Sequence, residues 1–267
     1  MDRRVVVTGM GAVTPFGLTV DRYWDGLIEG RSGITRISLF DASKFEVSIG
    51  GEIPNFDPEQ LLDRRVIKRL DRYAQLALVA TDEAVKQSGL QVDREDPDRM
   101  AVIFGSGIGG MNELEQQFAR LHTKGPGKVS AFTIPKLMVN AASGNISIVY
   151  GAKGNSIAIS SACASASNAM GEAVLQIRRG DADILFTGGS EAALTPLALA
   201  AFASMKALST RNDDPMKASR PFDRDRDGFV LAEGAGSLIF EELEHARRRG
   251  ALILAEVIGF ASTSDAD

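Results

Sequence analysis

The segment SIAISSACASASNAMGEAVLQIRRG changes its hydrophobic period from two to about 3.6 within a few residues. No other feature constrains the fold as much. Ile157 and Ile159 alternate with small or polar neighbours, which predicts a strand from Ser156 to Ser160. Ala166, Ala169, Met170, Ala173, Val174 and Ile177 then recur at helical spacing, and Gly180 ends the helix. A strand that feeds straight into a helix is a building unit of α/β folds. The single cysteine of the chain, Cys163, falls on the turn between the two.

That placement has a chemical consequence. A thiol attacks as its thiolate, and a helix N-terminus is one of the few local settings that favours the thiolate without a nearby cation. The free N–H groups of a first helical turn can also receive an oxyanion. Two readings of Cys163 remain open at this level: a nucleophile held on a sharp strand-to-helix turn, or a buried structural thiol.

The rest of the chain repeats the alternation. Strands are expected at Arg4 to Thr8, Met100 to Phe104, Asp183 to Thr187, Leu238 to Glu241 and Leu252 to Ala261, with a strand or hairpin at Phe45 to Ile53. Helices are expected at Tyr23 to Glu29, Met111 to Leu121, Pro135 to Val149, Pro196 to Ala203 and Glu242 to Arg249. A long amphipathic helix is expected from about Arg65 to Ser88, with Ile67, Leu70, Tyr73, Ala74, Ala77, Leu78, Thr81 and Val85 on one face. Strands separated by helices imply a mainly parallel sheet covered on both faces. The one candidate boundary is Arg247-Arg248-Arg249-Gly250, a charged helix end before a new strand. Residues 1–250 are therefore expected to form one domain, and 251–267 the opening strand of a second unit.

Composition narrows the function classes. At 267 residues and 44% hydrophobic content the chain can bury a large core. One cysteine excludes an internal disulfide and fits a reducing compartment. No secretory signal or membrane-length apolar run is visible, so a cytoplasmic location is expected. A formal charge of −5 gives no reason to expect nucleic acid.

Several motifs resemble known sites but are incomplete. Gly105-Ser106-Gly107-Ile108-Gly109-Gly110 fits G-x-G-x-x-G, yet no carboxylate stands near Gly125-Pro126-Gly127-Lys128, where a dinucleotide site needs one. A glycine loop packed beside an active site is the expected alternative. Asp223-x-Asp225-x-Asp227-Gly228 opens like a calcium loop, but Gly234 occupies the closing position, so ion pairs with Arg220, Arg224 and Arg226 are expected instead. Gly188-Gly189-Ser190-Glu191-Ala192 lacks the last glycine of a hydrolase elbow. The two histidines, His122 and His245, read as solvated surface residues, and no cluster has metal-ligand spacing. The chain therefore presents a nucleophile with no evident base.

Together the opening RRVVVTGMGAVTPFG, the GSGIGGM loop, SSACASASNAMGEA, GDADILFTGGSEA, ALSTRNDDPMKASRPFDRDRDGFVLAEGAG and EELEHARRRGA resemble the β-ketoacyl-[acyl-carrier-protein] synthases, with synthase II the subtype resembled. The match is collinear over essentially the whole chain. The resemblance implies a thiolase-like fold built from two similar halves in α-β-α-β-α layers, of which this sequence matches the first. It implies acyl transfer from a carrier protein's pantetheine thiol to Cys163. Decarboxylative Claisen condensation with malonyl-carrier protein would follow. The substrate would bring its own 4′-phosphopantetheine, with no further cofactor and no metal. The family's two catalytic histidines belong to its second half, and neither His122 nor His245 matches them. The chain as given is therefore expected to be inactive in condensation when alone.

By resemblance, Ile108 and Phe202 line the acyl tunnel, Ala162 lies beside the nucleophile, and Phe132 and Ile134 enter from the partner of a homodimer. Arg65, Lys68 and Arg69, with Lys206, match the family's carrier-docking positions. On the residues alone, Arg65, Lys68, Arg69 and Arg72 sit three or four apart and are expected on one helical face, which is either a solvated surface or a patch that steers acidic partners. Ala164 and Ala166 replace the Thr and Gly of many relatives. Two other readings share these residues: a thiolase-type enzyme acting on coenzyme A esters, and a non-catalytic partner like a chain-length factor.

Overall fold

The structure is a computed structural model and describes residues 3–266. In chain order it places β1 (Val5–Val13), α1 (Val20–Ile28), β2 (Thr35–Arg36), β3 (Ile49–Gly50), α2 (Pro58–Leu61), α3 (Arg64–Ile67), α4 (Arg72–Ser88), β4 (Met100–Gly105) and α5 (Met111–Lys124). There follow α6 (Thr133–Leu137), α7 (Ala141–Tyr150), β5 (Ser156–Ile159), α8 (Ser165–Arg179), β6 (Ile184–Glu191), α9 (Pro196–Ser204), β7 (Gly234–Glu242), α10 (Leu243–Arg248) and β8 (Ala255–Glu256).

One six-stranded sheet organises the molecule, in the order β5-β4-β6-β7-β1-β8. The β5-β4-β6 half is parallel, and β6-β7, β7-β1 and β1-β8 are antiparallel. The sheet is therefore mixed. Parallel pairing is confined to the strands joined by the α5–α7 and α8 crossovers, as parallel neighbours need long connections.

Both faces are covered. Met100, Val102 and Phe104 of β4 and Ile184 and Phe186 of β6 face α4 and α7, in the cluster that includes Tyr73, Leu76 and Ile146. The alternate residues Ala101, Ile103 and Leu185 face α8 through Ala169, Ala173, Val174 and Ile177. The unbroken apolar runs of β4 and β6 follow from this double burial. Helix α4 lies hard against β1: a Cβ on Gly11 would fall 1.8 Å from the Ala80 carbonyl oxygen.

Several elements differ from expectation. The helix expected from Arg65 to Ser88 is broken. Asp71 caps α4 through the Tyr73 N–H at 3.3 Å, and its second oxygen accepts the Glu113 N–H at 2.6 Å. The four-residue α3 stands apart, so Arg65, Lys68, Arg69 and Arg72 do not share one helical face. The helix expected from Pro135 to Val149 is also split, where the Tyr73 hydroxyl donates to the Met138 carbonyl at 2.6 Å. The hairpin expected near Phe45 shrinks to a two-residue pairing of β3 with β2. The strand expected over 252–261 is regular only at β8, which extends the sheet beside β1.

Candidate active site

Between β5 and α8 the chain turns sharply. Ala162 adopts φ +52°, a left-handed conformation costly for a residue with a Cβ. Ser165 holds it there: its hydroxyl donates to the Ala162 carbonyl at 2.6 Å and accepts the Ser161 N–H at 2.9 Å. Asn168 braces the same turn through the Ser161 hydroxyl at 2.6 Å. A Cβ on Gly105 would fall 2.5 Å from the Ser165 carbonyl, so the end of β4 and the start of α8 touch only because that residue is glycine.

Cys163 is exposed at this turn. It precedes the N-cap, Ala164, which offers no side-chain acceptor to the first turn of α8. Among the described residues the Cys163 N–H has no hydrogen-bond partner. A thiol, an unclaimed amide and the positive end of a 15-residue helix therefore converge at one point.

That point opens on a cavity of about 520 Å³. Ile108, Ala162, Phe202, Phe229 and Leu231 line it with Cys163, and glycines of β6 and β7 form its floor. The Phe202 and Phe229 rings pack edge to face at 5.4 Å. Of the residues expected in the acyl pocket, Ile108, Ala162 and Phe202 come together here. Phe132 and Ile134, expected from a partner subunit, stand 44% and 62% exposed at the start of α6. Sequence reasoning missed Phe229 and Leu231 because it saw only the charged pattern of their loop. A larger groove of about 720 Å³, bounded by Pro15, Arg36, Phe56 and Arg72, does not include Cys163.

Glu191, another residue the sequence did not single out, ends β6 on the cavity wall. Its carboxylate accepts the Gly107 and Ile108 N–H groups at 2.7 and 3.0 Å and the Ser106 hydroxyl at 3.2 Å. Burial pushes this carboxyl above its usual range, against the pull of those donors.

Among the described residues no histidine lines the cavity. His122 lies exposed against Phe118 at 4.4 Å. His245 is not the solvated residue expected: it bridges Glu241 at 2.7 Å and Glu95 at 2.9 Å, half-buried, at the far edge of β7. The Glu241 side chain is fully buried and also accepts from Arg249 and Thr8. Burial alone would raise its pKa, yet Arg249, His245 and Thr8 together hold it down at about 2. The acidic loop pairs internally: Asp223 with Arg220, Asp225 with Arg224, and Asp227 with Ser209 and Thr210.

Of the basic residues, Arg65, Lys68 and Arg69 are exposed and form no salt bridge among the described residues. Arg72 turns inward, bonded to Glu233 at 2.6 Å and stacked over Phe56. Lys206 pairs with Glu46 at 3.0 Å.

A mixed sheet between helical layers, with a cysteine at the start of a covering helix, is the arrangement of the thiolase-like fold shared with solved ketosynthases. The chain belongs to the beta-ketoacyl synthase family, whose N-terminal domain matches residues 2–246. It is 50% identical over 264 residues to a 3-oxoacyl-[acyl-carrier-protein] synthase 2 of Synechocystis, covering 99% of this chain and 64% of that protein. A namesake from Vibrio cholerae is 48% identical with the same coverage. The crystal structure of a beta-ketoacyl synthase from Burkholderia phymatum superposes with a TM-score of 0.90 at 35% identity, over 99% of this chain and 65% of that one. A type II polyketide ketosynthase, solved in complex with its acyl-carrier protein, gives 0.88 at 34% identity, over 100% and 64%. The chain thus spans just under two thirds of these relatives. Among the described residues no helix is long and apolar enough to cross a membrane.

Proposed function

We propose that the chain carries the acyl-accepting nucleophile of a 3-oxoacyl-[acyl-carrier-protein] synthase 2. The Cys163 thiolate attacks the thioester carbonyl of an acyl-carrier protein. The negative oxygen of the tetrahedral intermediate lies against the free Cys163 N–H, and the carrier thiol leaves with a proton. The acyl chain extends into the cavity between Ile108, Phe202 and Phe229. Malonyl-carrier protein then loses CO2, its carbanion attacks the acyl-cysteine, and the thiolate returns as 3-oxoacyl-carrier protein departs. Neither His122 nor His245 lines the cavity, so neither serves that second step. The carrier's pantetheine is the only prosthetic group required.

The observation that carries this proposal is the conjunction of an exposed thiol, an unclaimed amide and a largely apolar cavity at one helix start. Exposed Arg65, Lys68 and Arg69 suit an acidic carrier protein. The unpaired edge of β5, with exposed Phe132 and Ile134 on the segment leading to it, suits a homodimer. Labelling with the cysteine-directed inhibitor cerulenin, followed by peptide mapping, tests the nucleophile. The adduct should lie on Cys163 in the native chain and form far faster than with a small unstructured thiol. Labelling only after denaturation would contradict the proposal.

A further inference from the structure

Glu191 is a half-buried acid whose contacts the acyl-transfer steps leave unused. It lies on the cavity wall, and its bonds run to the loop that forms the neighbouring wall. One carboxylate oxygen takes both the Gly107 and Ile108 N–H groups, and the other takes the Ser106 hydroxyl. Ser106 in turn accepts the Gly109 N–H at 3.2 Å. The far side of the loop is tied less firmly, by Ser160 to the Gly107 carbonyl at 3.2 Å and by the Gly110 N–H to Leu137 at 3.1 Å. Ile108 has no other backbone anchor through its N–H.

We propose that Glu191 is a positioning residue: it fixes the Ile108 wall of the cavity and so sets how well a long acyl chain fits beside Cys163. This rests on the reading of that cavity as the acyl site. Charge-assisted bonds to two successive backbone amides hold Gly107 and Ile108, the half-buried stretch of a loop whose flanking residues are buried. The isoleucine would otherwise move inward, because apolar atoms facing an empty cavity lack contacts on one side. Glutamine can replace the acid: its oxygen accepts both amides, and its nitrogen meets the Ser106 oxygen.

The test compares alkylation of Cys163 by N-octyl iodoacetamide with alkylation by iodoacetamide itself. In both, the thiolate displaces iodide and forms a C–S bond. The ratio of the two rate constants within one variant reports the cavity and cancels the reactivity of the thiol. The native chain should favour the octyl reagent. In Glu191→Ala that ratio should fall about tenfold, and Glu191→Gln should restore most of it. Gly107→Ala gives an independent route if the alanine variant fails to fold. Its new Cβ would stand 3.1 Å from the Glu191 carboxylate, so carboxylate or loop must shift by a few tenths of an ångström, which should loosen the same bonds and lower the ratio. A native preference for octyl that neither variant alters would overturn the role of Glu191. So would an equal loss with both reagents. A native chain with no octyl preference would overturn the acyl-site reading itself, and this proposal with it.

Discussion

Individual side chains here are set by partners distant in sequence, and His245 shows the consequence. Hydrogen bonds to Glu241 raise its pKa, opposed by burial and helped by Glu95. Arg249 also faces Glu241 from the end of α10, and Thr8 faces it from β1. A group whose folded pKa is raised contributes stability that is complete below its unfolded value, near 6.5, and is lost as pH rises through the folded value. The melting temperature of the native chain should therefore decline from pH 6 toward alkaline pH. His245→Gln should remove that slope and cost most at the acid end of the window. Parallel melting curves for the two proteins would contradict this. The sequence hid the cluster because His245, Glu241 and Glu95 lie on α10, on β7 and before β4, and only the sheet brings them together. Cys163 was legible because the bonds that close its turn, among Ser161, Ala162, Ser165 and Asn168, lie within one strand-to-helix unit. Glu191, Phe229 and Leu231 were not, because they reach the cavity through tertiary contacts.

At the scale of elements, β1 and α4 approach each other closely. Gly9 and Gly11 let the strand approach the helix backbone, where a Cβ would lie 2.1 Å from the Ala84 carbonyl oxygen or 1.8 Å from that of Ala80. Gly11→Ala should force the two apart and lower the unfolding free energy by more than about 3 kcal/mol. Urea titration reads this directly; a loss under about 1 kcal/mol would show that the layers can slide. The strands and helices that carry the core were legible wherever one period ran unbroken, as in β4, β6 and α8. The break between α3 and α4 was not. Leu70, Tyr73 and Ala74 continue the helical apolar pattern across it, and the break depends on Asp71 reaching the Glu113 amide on α5. The short β8 was overestimated for a related reason: its apolar residues Leu252, Ile258 and Phe260 remain partly or largely exposed rather than alternating into a core.

The whole molecule carries a net charge of −5, yet the exposed Arg65, Lys68 and Arg69 side chains form no salt bridge among the described residues. Local positive potential of this kind governs the encounter with an acidic partner and fades as salt screens it. The double reversal Lys68→Glu, Arg69→Glu should weaken binding of acyl-carrier protein about tenfold at low ionic strength. It should also flatten the dependence of affinity on salt. Equal titration curves for native and variant chains would place the carrier elsewhere. Lys206, engaged with Glu46, should contribute less than either.

Under the proposed function, Cys163 accepts an acyl group from a carrier-borne thioester. Intact-mass analysis of the chain after incubation with octanoyl-carrier protein tests it directly, with Cys163→Ala as the control. The native chain should gain one octanoyl group, mapped to Cys163, and the variant none. An unchanged mass in the native chain, or the same gain in both, would contradict it.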